Sequence, residues 1–169
     1  MSQKSPVQTV FVQVVERPAR KLICKPARTA THYFEYCEEV GCEVWETLCG
    51  VPGALGEPMG LWMPAELRAE GESEYQQGVE VATDYSGPVP DGLVLRELPP
   101  CRQMIFQGPP FEDEQFEEAI GQLWEVIKNY DPSLVGYAWA DQDGPRFQLE
   151  PRGYRGYIEG RPVRPRAQG

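Results

Sequence analysis

Two glutamates near the end of the chain stand among the side chains best suited to chemistry. In Arg146-Phe147-Gln148-Leu149-Glu150, the period of two of an extended backbone puts Arg146, Gln148 and Glu150 on one face and Phe147 and Leu149 on the other. If Phe147 and Leu149 face a helix layer, Gln148 and Glu150 face a cleft. In Tyr157-Ile158-Glu159-Gly160-Arg161 the same period groups Tyr157, Glu159 and Arg161. A carboxylate among aromatic rings can pair with a cationic ligand or, with its pKa raised by desolvation, act as a general base on water. Either glutamate can equally pair with Arg146, Arg152, Arg155 or Arg161 at a sheet edge, where exposed ion pairs are common and weak.

Tyr33, Tyr36, Trp62, Tyr75, Tyr85, Tyr137, Trp139 and Tyr157 are the rings that could line such a cleft, since Tyr and Trp offer a large apolar face with a polar tip. Each could also serve plain packing. Trp45 and Trp124 fall on apolar helix faces and are predicted to be core, so that Trp124→Ala should open a cavity costing about 3 to 5 kcal/mol. Neither a metal nor a cofactor is expected. His32 is the single histidine, and Cys24, Cys37, Cys42, Cys49 and Cys101 contain no CxxC pair, so they read as free thiols. One histidine also leaves little for a Ser-His or Cys-His mechanism.

The elements that must position these residues come from one domain. A chain of 169 residues with 41% hydrophobic composition can bury one core but not two independent ones. A net charge of -10 and a pI near 4.6 argue against nucleic acid and anionic membranes as partners. No apolar run approaches the length of a membrane span and the first residues lack a signal-peptide core, so a cytoplasmic protein is expected. The oligomeric state is not legible.

Alternating residues predict strands over 9–16, 21–24, 59–63 and 75–85, with an amphipathic helix over 31–48. The order then repeats: strands over 93–98 and 102–106, a helix over 112–128, and strands over 134–139, 146–150 and 156–163. Glu16-Arg17-Pro18 lines up with Glu97-Leu98-Pro99, and Val44-Trp45-Glu46 with Leu123-Trp124-Glu125, at an offset of about 80 residues. The reading is a single α+β domain made of two tandem strand-helix-strand-strand units, about 9–85 and 93–163. Helices lie on one side of antiparallel sheet, a pseudo-two-fold relates the units, and a central cleft forms between them, where ligand sites favour internal interfaces.

The stretch Phe106-Gln107-Gly108-Pro109-Pro110-Phe111, the helix ending Trp124-Glu125-Val126-Ile127, then Gly136-Tyr137, Phe147-Gln148-Leu149-Glu150-Pro151 and Gly156-Tyr157-Ile158-Glu159-Gly160-Arg161-Pro162-Val163 resemble the GyrI-like small-molecule-binding domain. That domain is also the effector domain of multidrug-responsive regulators. The resemblance covers most of the chain and is strongest after Leu95. It implies two SHS2-type units around an aromatic cavity holding an acid that recognises lipophilic cations, with Glu150 and Gln148 on the acid-bearing strand. The implied ligand-binding set is Tyr33, Trp62, Tyr85, Tyr137, Trp139, Gln148, Glu150 and Tyr157. No helix-turn-helix precedes the first strand, so direct transcriptional regulation is not expected. Three functions follow: a stand-alone small-molecule binder protective against toxic compounds, a hydrolase of cyclopropane-containing genotoxins, and a protein-binding inhibitor of a topoisomerase. For the hydrolase, Glu150 and Tyr137 would activate water, with Glu159 and Tyr157 in reserve.

Overall fold

The computed structural model describes residues 9–167. Its strands are β1 (Phe11–Arg17), β2 (Arg20–Pro26), β3 (Met59–Trp62), β4 (Tyr75–Val81), β5 (Val94–Leu98), β6 (Cys101–Gln107), β7 (Tyr137–Trp139), β8 (Arg146–Gln148) and β9 (Ile158–Pro165). They form one antiparallel sheet in the order β1-β6-β9-β8-β3-β4-β2-β5, with β7 paired to the far end of β9. The helices are α1 (Tyr33–Glu39), α2 (Glu43–Cys49) and α3 (Phe116–Lys128). The α+β class and the antiparallel sheet thus match the sequence reading.

The strand order is the same read from either end under the exchange of halves, which places the pseudo-two-fold between β8 and β3 at the Gly60–Gln148 pair. The outer strands are traded. β1 pairs with β6, and β5 pairs with β2, so each proline break carries the chain across to the other half. Arg20 braces this crossing: it is buried, its Nε donates to Glu80 Oε2 at 2.7 Å, and its Nη1 donates to the Pro99 carbonyl at 2.9 Å. Arg17 adds a second ion pair to Glu80.

Strand periodicity sorts the core onto the two sheet faces. Ile23 packs with Leu48 of α2, Val79 and Val81, whereas its neighbours Leu22 and Cys24 pack on the opposite face with Met59, Leu61 and Phe147. Under α3, Leu123 and Ile127 meet Met104, Phe106, Tyr157 and Val163. Glu117 and Glu118 in the first turn of α3 and Lys128 in the last complement the helix dipole.

Three local expectations need correction. The helix expected over 31–48 is two helices, broken at Gly41, whose φ of 109° lies outside the helical region and is open only to glycine without strain. Residues 132–135 form a 3₁₀ turn capped by the Asp131 carboxylate, which accepts from Ser133 N at 3.0 Å, and β7 starts only at Tyr137. Finally, β8 ends at Gln148, so the alternation that was to carry Glu150 stops two residues short of it.

Candidate functional site

A cleft with a volume of about 630 Å³ opens on the helix-bearing face, above the central strands where the halves meet. Trp62 at the end of β3 and Trp139 at the end of β7 contribute rings from the sheet, and Trp124 reaches in from α3 together with Ile127 and Lys128. Thr31 and His32 close the side before α1, where the Trp62 indole N–H donates to the Thr31 carbonyl at 2.9 Å. Arg146 of β8 and Arg161 of β9 complete the lining. A smaller hollow of about 160 Å³ lies behind α3 near Pro109 and Phe111.

Glu159 lies at the centre of this arrangement. It is 0% exposed and accepts five hydrogen bonds from four side chains. Oε1 accepts from Trp124 Nε1 at 2.7 Å, from the Tyr157 hydroxyl at 3.0 Å and from Arg146 Nη2 at 3.2 Å. Oε2 accepts from Arg146 Nε and Arg161 Nε, each at 3.0 Å. A buried carboxylate survives only when paired and hydrogen-bonded, and this one is both. Burial, followed by the adjacent Glu159 charge, pushes the Tyr157 phenol well above its usual range, so it stays protonated and donates. The Arg146 guanidinium lies 4.1 Å from the Trp62 ring centroid and 5.6 Å from that of Trp124, within cation–π range of both.

The residues expected at a site are distributed differently. Trp62, Trp139 and Tyr157 meet at the cleft or at its acid. Gln148 pairs in register with Glu159 on the neighbouring strand. Glu150 is exposed and forms an ion pair with Arg152 at 3.0 Å, which is the sheet-edge pairing anticipated as its alternative. Its partner in the hydrolase reading, Tyr137, packs against the cluster of Met104 and Phe106. Tyr85 packs beside Ile23 and Leu48, with its hydroxyl donating to the Pro88 carbonyl at 2.7 Å. Tyr33 is exposed on α1, and its phenol is raised to about 12 by a hydrogen bond with Cys37 and by partial burial.

The facing of β8 is reversed from the conditional stated above. Phe147 points away from the helices into the cluster of Leu22 and Leu61, and this leaves Arg146 on the helix side. Trp124 is also corrected. It is 37% exposed, because Leu123 and Ile127 hold the buried line of α3 and the next position along looks into the cleft.

Arg146, Arg161, Trp124 and Lys128 were not anticipated as site residues, although one sequence signal pointed to their centre. Tyr75-Gln76-Gln77-Gly78 of β4 corresponds to Tyr157-Ile158-Glu159-Gly160 across the pseudo-two-fold, with Gly78 paired to Met59 of β3 and Gly160 to Phe147 of β8. A repeat that holds neutral Gln77 in one copy and charged Glu159 in the other singles out the acid. On the Gln77 side Tyr36, Tyr75 and Trp62 fill the space, with ring centroids 5.5 and 5.1 Å from Tyr75.

No family model and no curated protein sequence matches this chain. Among solved structures it is similar to a Staphylococcus aureus MU50 protein assigned to bacterial transcription regulation, with TM-score 0.54, 12% identity and coverage of 91% of this chain and 98% of that one. It is similar as well to SAV2435, solved bound to tetraphenylphosphonium, with TM-score 0.55, 15% identity and coverage of 91% and 94%. At these identities the likeness establishes a shared fold over nearly the whole chain. Among the described residues no helix is long and apolar enough to cross a membrane.

Proposed function

We propose that this chain is a small-molecule-binding module of the GyrI-like kind, taking lipophilic aromatic compounds into the cleft above Glu159. The observation that carries the reading is the convergence of Trp62, Trp124 and Trp139, from both halves and both layers, on one open space beside the pseudo-two-fold. The shared fold with SAV2435, which was solved with a lipophilic aromatic guest, supports it. A role in holding toxic aromatic compounds away from their targets needs only such a pocket.

The arrangement favours binding over hydrolysis. Glu159 and Tyr157 are an acid and a phenol 3.0 Å apart, but they bond to each other, and both carboxylate oxygens are taken up by protein donors rather than presented to a water. A general base needs a free acceptor site facing the proton it removes.

Titration with a neutral aromatic dye such as Nile red, followed by dye emission and tryptophan quenching, tests this reading. Saturable binding that is weakened by Trp139→Ala is the expected result. An absence of saturable binding, or binding indifferent to Trp139, would overturn it.

A further inference from the structure

Among the described residues the lining of the cleft is positive, and the acid beneath it, Glu159, is fully engaged. Lys128, Arg146 and Arg161 line it, whereas Glu159 supplies the carboxylate beneath. A carboxylate has about four lone-pair directions. Glu159 accepts from Trp124, Tyr157, Arg161 and twice from Arg146, so no acceptor direction remains for a ligand ammonium.

The arginine donors are in the opposite condition. Arg161 gives only its Nε to Glu159, and among the described residues its Nη1 and Nη2 and the Nη1 of Arg146 meet no protein acceptor. Both side chains are largely enclosed, at 24% and 29% exposed, so these donors sit where an incoming acceptor would be partly desolvated and the bond correspondingly strong. Arg146 also occupies the ring face of Trp62 that a cationic guest would seek. A cation would have to displace it, uncovering the Glu159 pair as it did so.

We infer that the cleft selects aromatic carboxylates. The ligand carboxylate bonds the unused guanidinium nitrogens of Arg161 and Arg146, with Lys128 at the rim, while its ring lies against Trp124 and Trp139. Glu159 positions both guanidinium groups by holding their Nε atoms and is not the counter-ion of the ligand. This inference rests on the cleft being the ligand site and adds the charge of what enters it. The net charge of -10 over the whole chain acts in the other direction at long range, so a preference for an anion would have to come from these contacts.

Three probes of one shape separate charge from shape: 2-naphthoate, 2-naphthylmethanol and 2-naphthylmethylammonium, each titrated by calorimetry at neutral pH. The expected order is naphthoate tightest and ammonium weakest, with a ratio of about tenfold or more between them. Arg161→Gln, checked for folding by circular dichroism, should shrink the ratio of naphthoate to alcohol affinity, and Glu150→Gln should leave that ratio as it was. If Arg161→Gln does not fold, Lys128→Gln at the rim should shrink the same ratio to a smaller degree. Ammonium binding as tightly as naphthoate would overturn the inference and leave the aromatic cleft standing. Binding of none of the three probes would overturn both.

Discussion

The indole N–H of Trp124 on α3 donates to Oε1 of Glu159 on β9 at 2.7 Å, joining a residue that is 37% exposed to one that is 0% exposed. Through this bond the helix layer reads the charge buried under the cleft. Any ligand lying against Trp124 is therefore one hydrogen bond away from the Glu159 cluster.

Replacing Glu159 should be costly. Glu159→Gln keeps the volume but removes the charge that pairs Arg146 and Arg161, and turns an amide donor toward groups that are themselves donors. Breaking one side of a buried ion pair costs about 3 kcal/mol or more. Urea unfolding followed by circular dichroism should show a lower midpoint at unchanged slope. An unchanged midpoint would mean that Glu159 and its arginines contribute nothing net.

Glu150→Gln provides the contrast. Its side chain is 46% exposed and its partner Arg152 is 42% exposed, so the pair is screened by water. Stability should change by no more than about 0.5 kcal/mol and dye binding should stay as in the wild type. A loss of binding in this variant would return the acid of the site to the position first expected from the sequence.

Trp124→Ala should lower ligand affinity far more than it lowers stability. A ring this exposed leaves an open notch rather than an enclosed cavity, so the cost should stay near 1 to 2 kcal/mol, below that of a buried aromatic. A loss of about 4 kcal/mol in thermal or urea unfolding would restore the core assignment for this tryptophan.

Glu57 gives a pH-dependent prediction. Its carboxylate accepts from Arg155 Nη1 at 2.9 Å and Nη2 at 2.6 Å, and this bidentate hydrogen bond holds its pKa below the usual carboxylate range. A lowered folded-state pKa means stability that is present above the unfolded pKa and lost as pH falls through the folded one. Glu57→Gln should therefore be less stable than wild type near neutral pH by about 1 kcal/mol, and the two curves should converge at acidic pH. A gap between them that persists unchanged into acid would show that the pair acts through packing instead of charge.

Gly160 is constrained by its neighbour strand. A Cβ placed there would overlap the Phe147 ring, which lies across the glycine from β8. Gly160→Ala should cost about 1 to 3 kcal/mol by overpacking. Second-site Phe147→Leu should recover part of that loss, and a failure to do so would place the cost in the backbone.

The sequence by itself determined the α+β class, the two-unit plan and the buried Leu123 and Ile127 line of α3. These depend on local periodicity and on landmarks repeated along the chain, both visible in one dimension, as in the Leu123 and Ile127 spacing or the paired proline breaks. It also contained the decisive asymmetry, Gln77 in one copy and Glu159 in the other. Only the tertiary structure decided which acid is buried and what surrounds it. Glu150 and Glu159 each follow a short alternating run near arginines, and nothing local separates them. β8 stops at Gln148 while β9 runs on, flanked by β6 on one side and by β7 and β8 on the other, so Glu159 is covered by α3 and Glu150 is left in water. The crossing of β1 and β5 between halves was hidden for the same reason: strand pairing at long range is set by which edges remain open when the units meet, not by the residues of one strand.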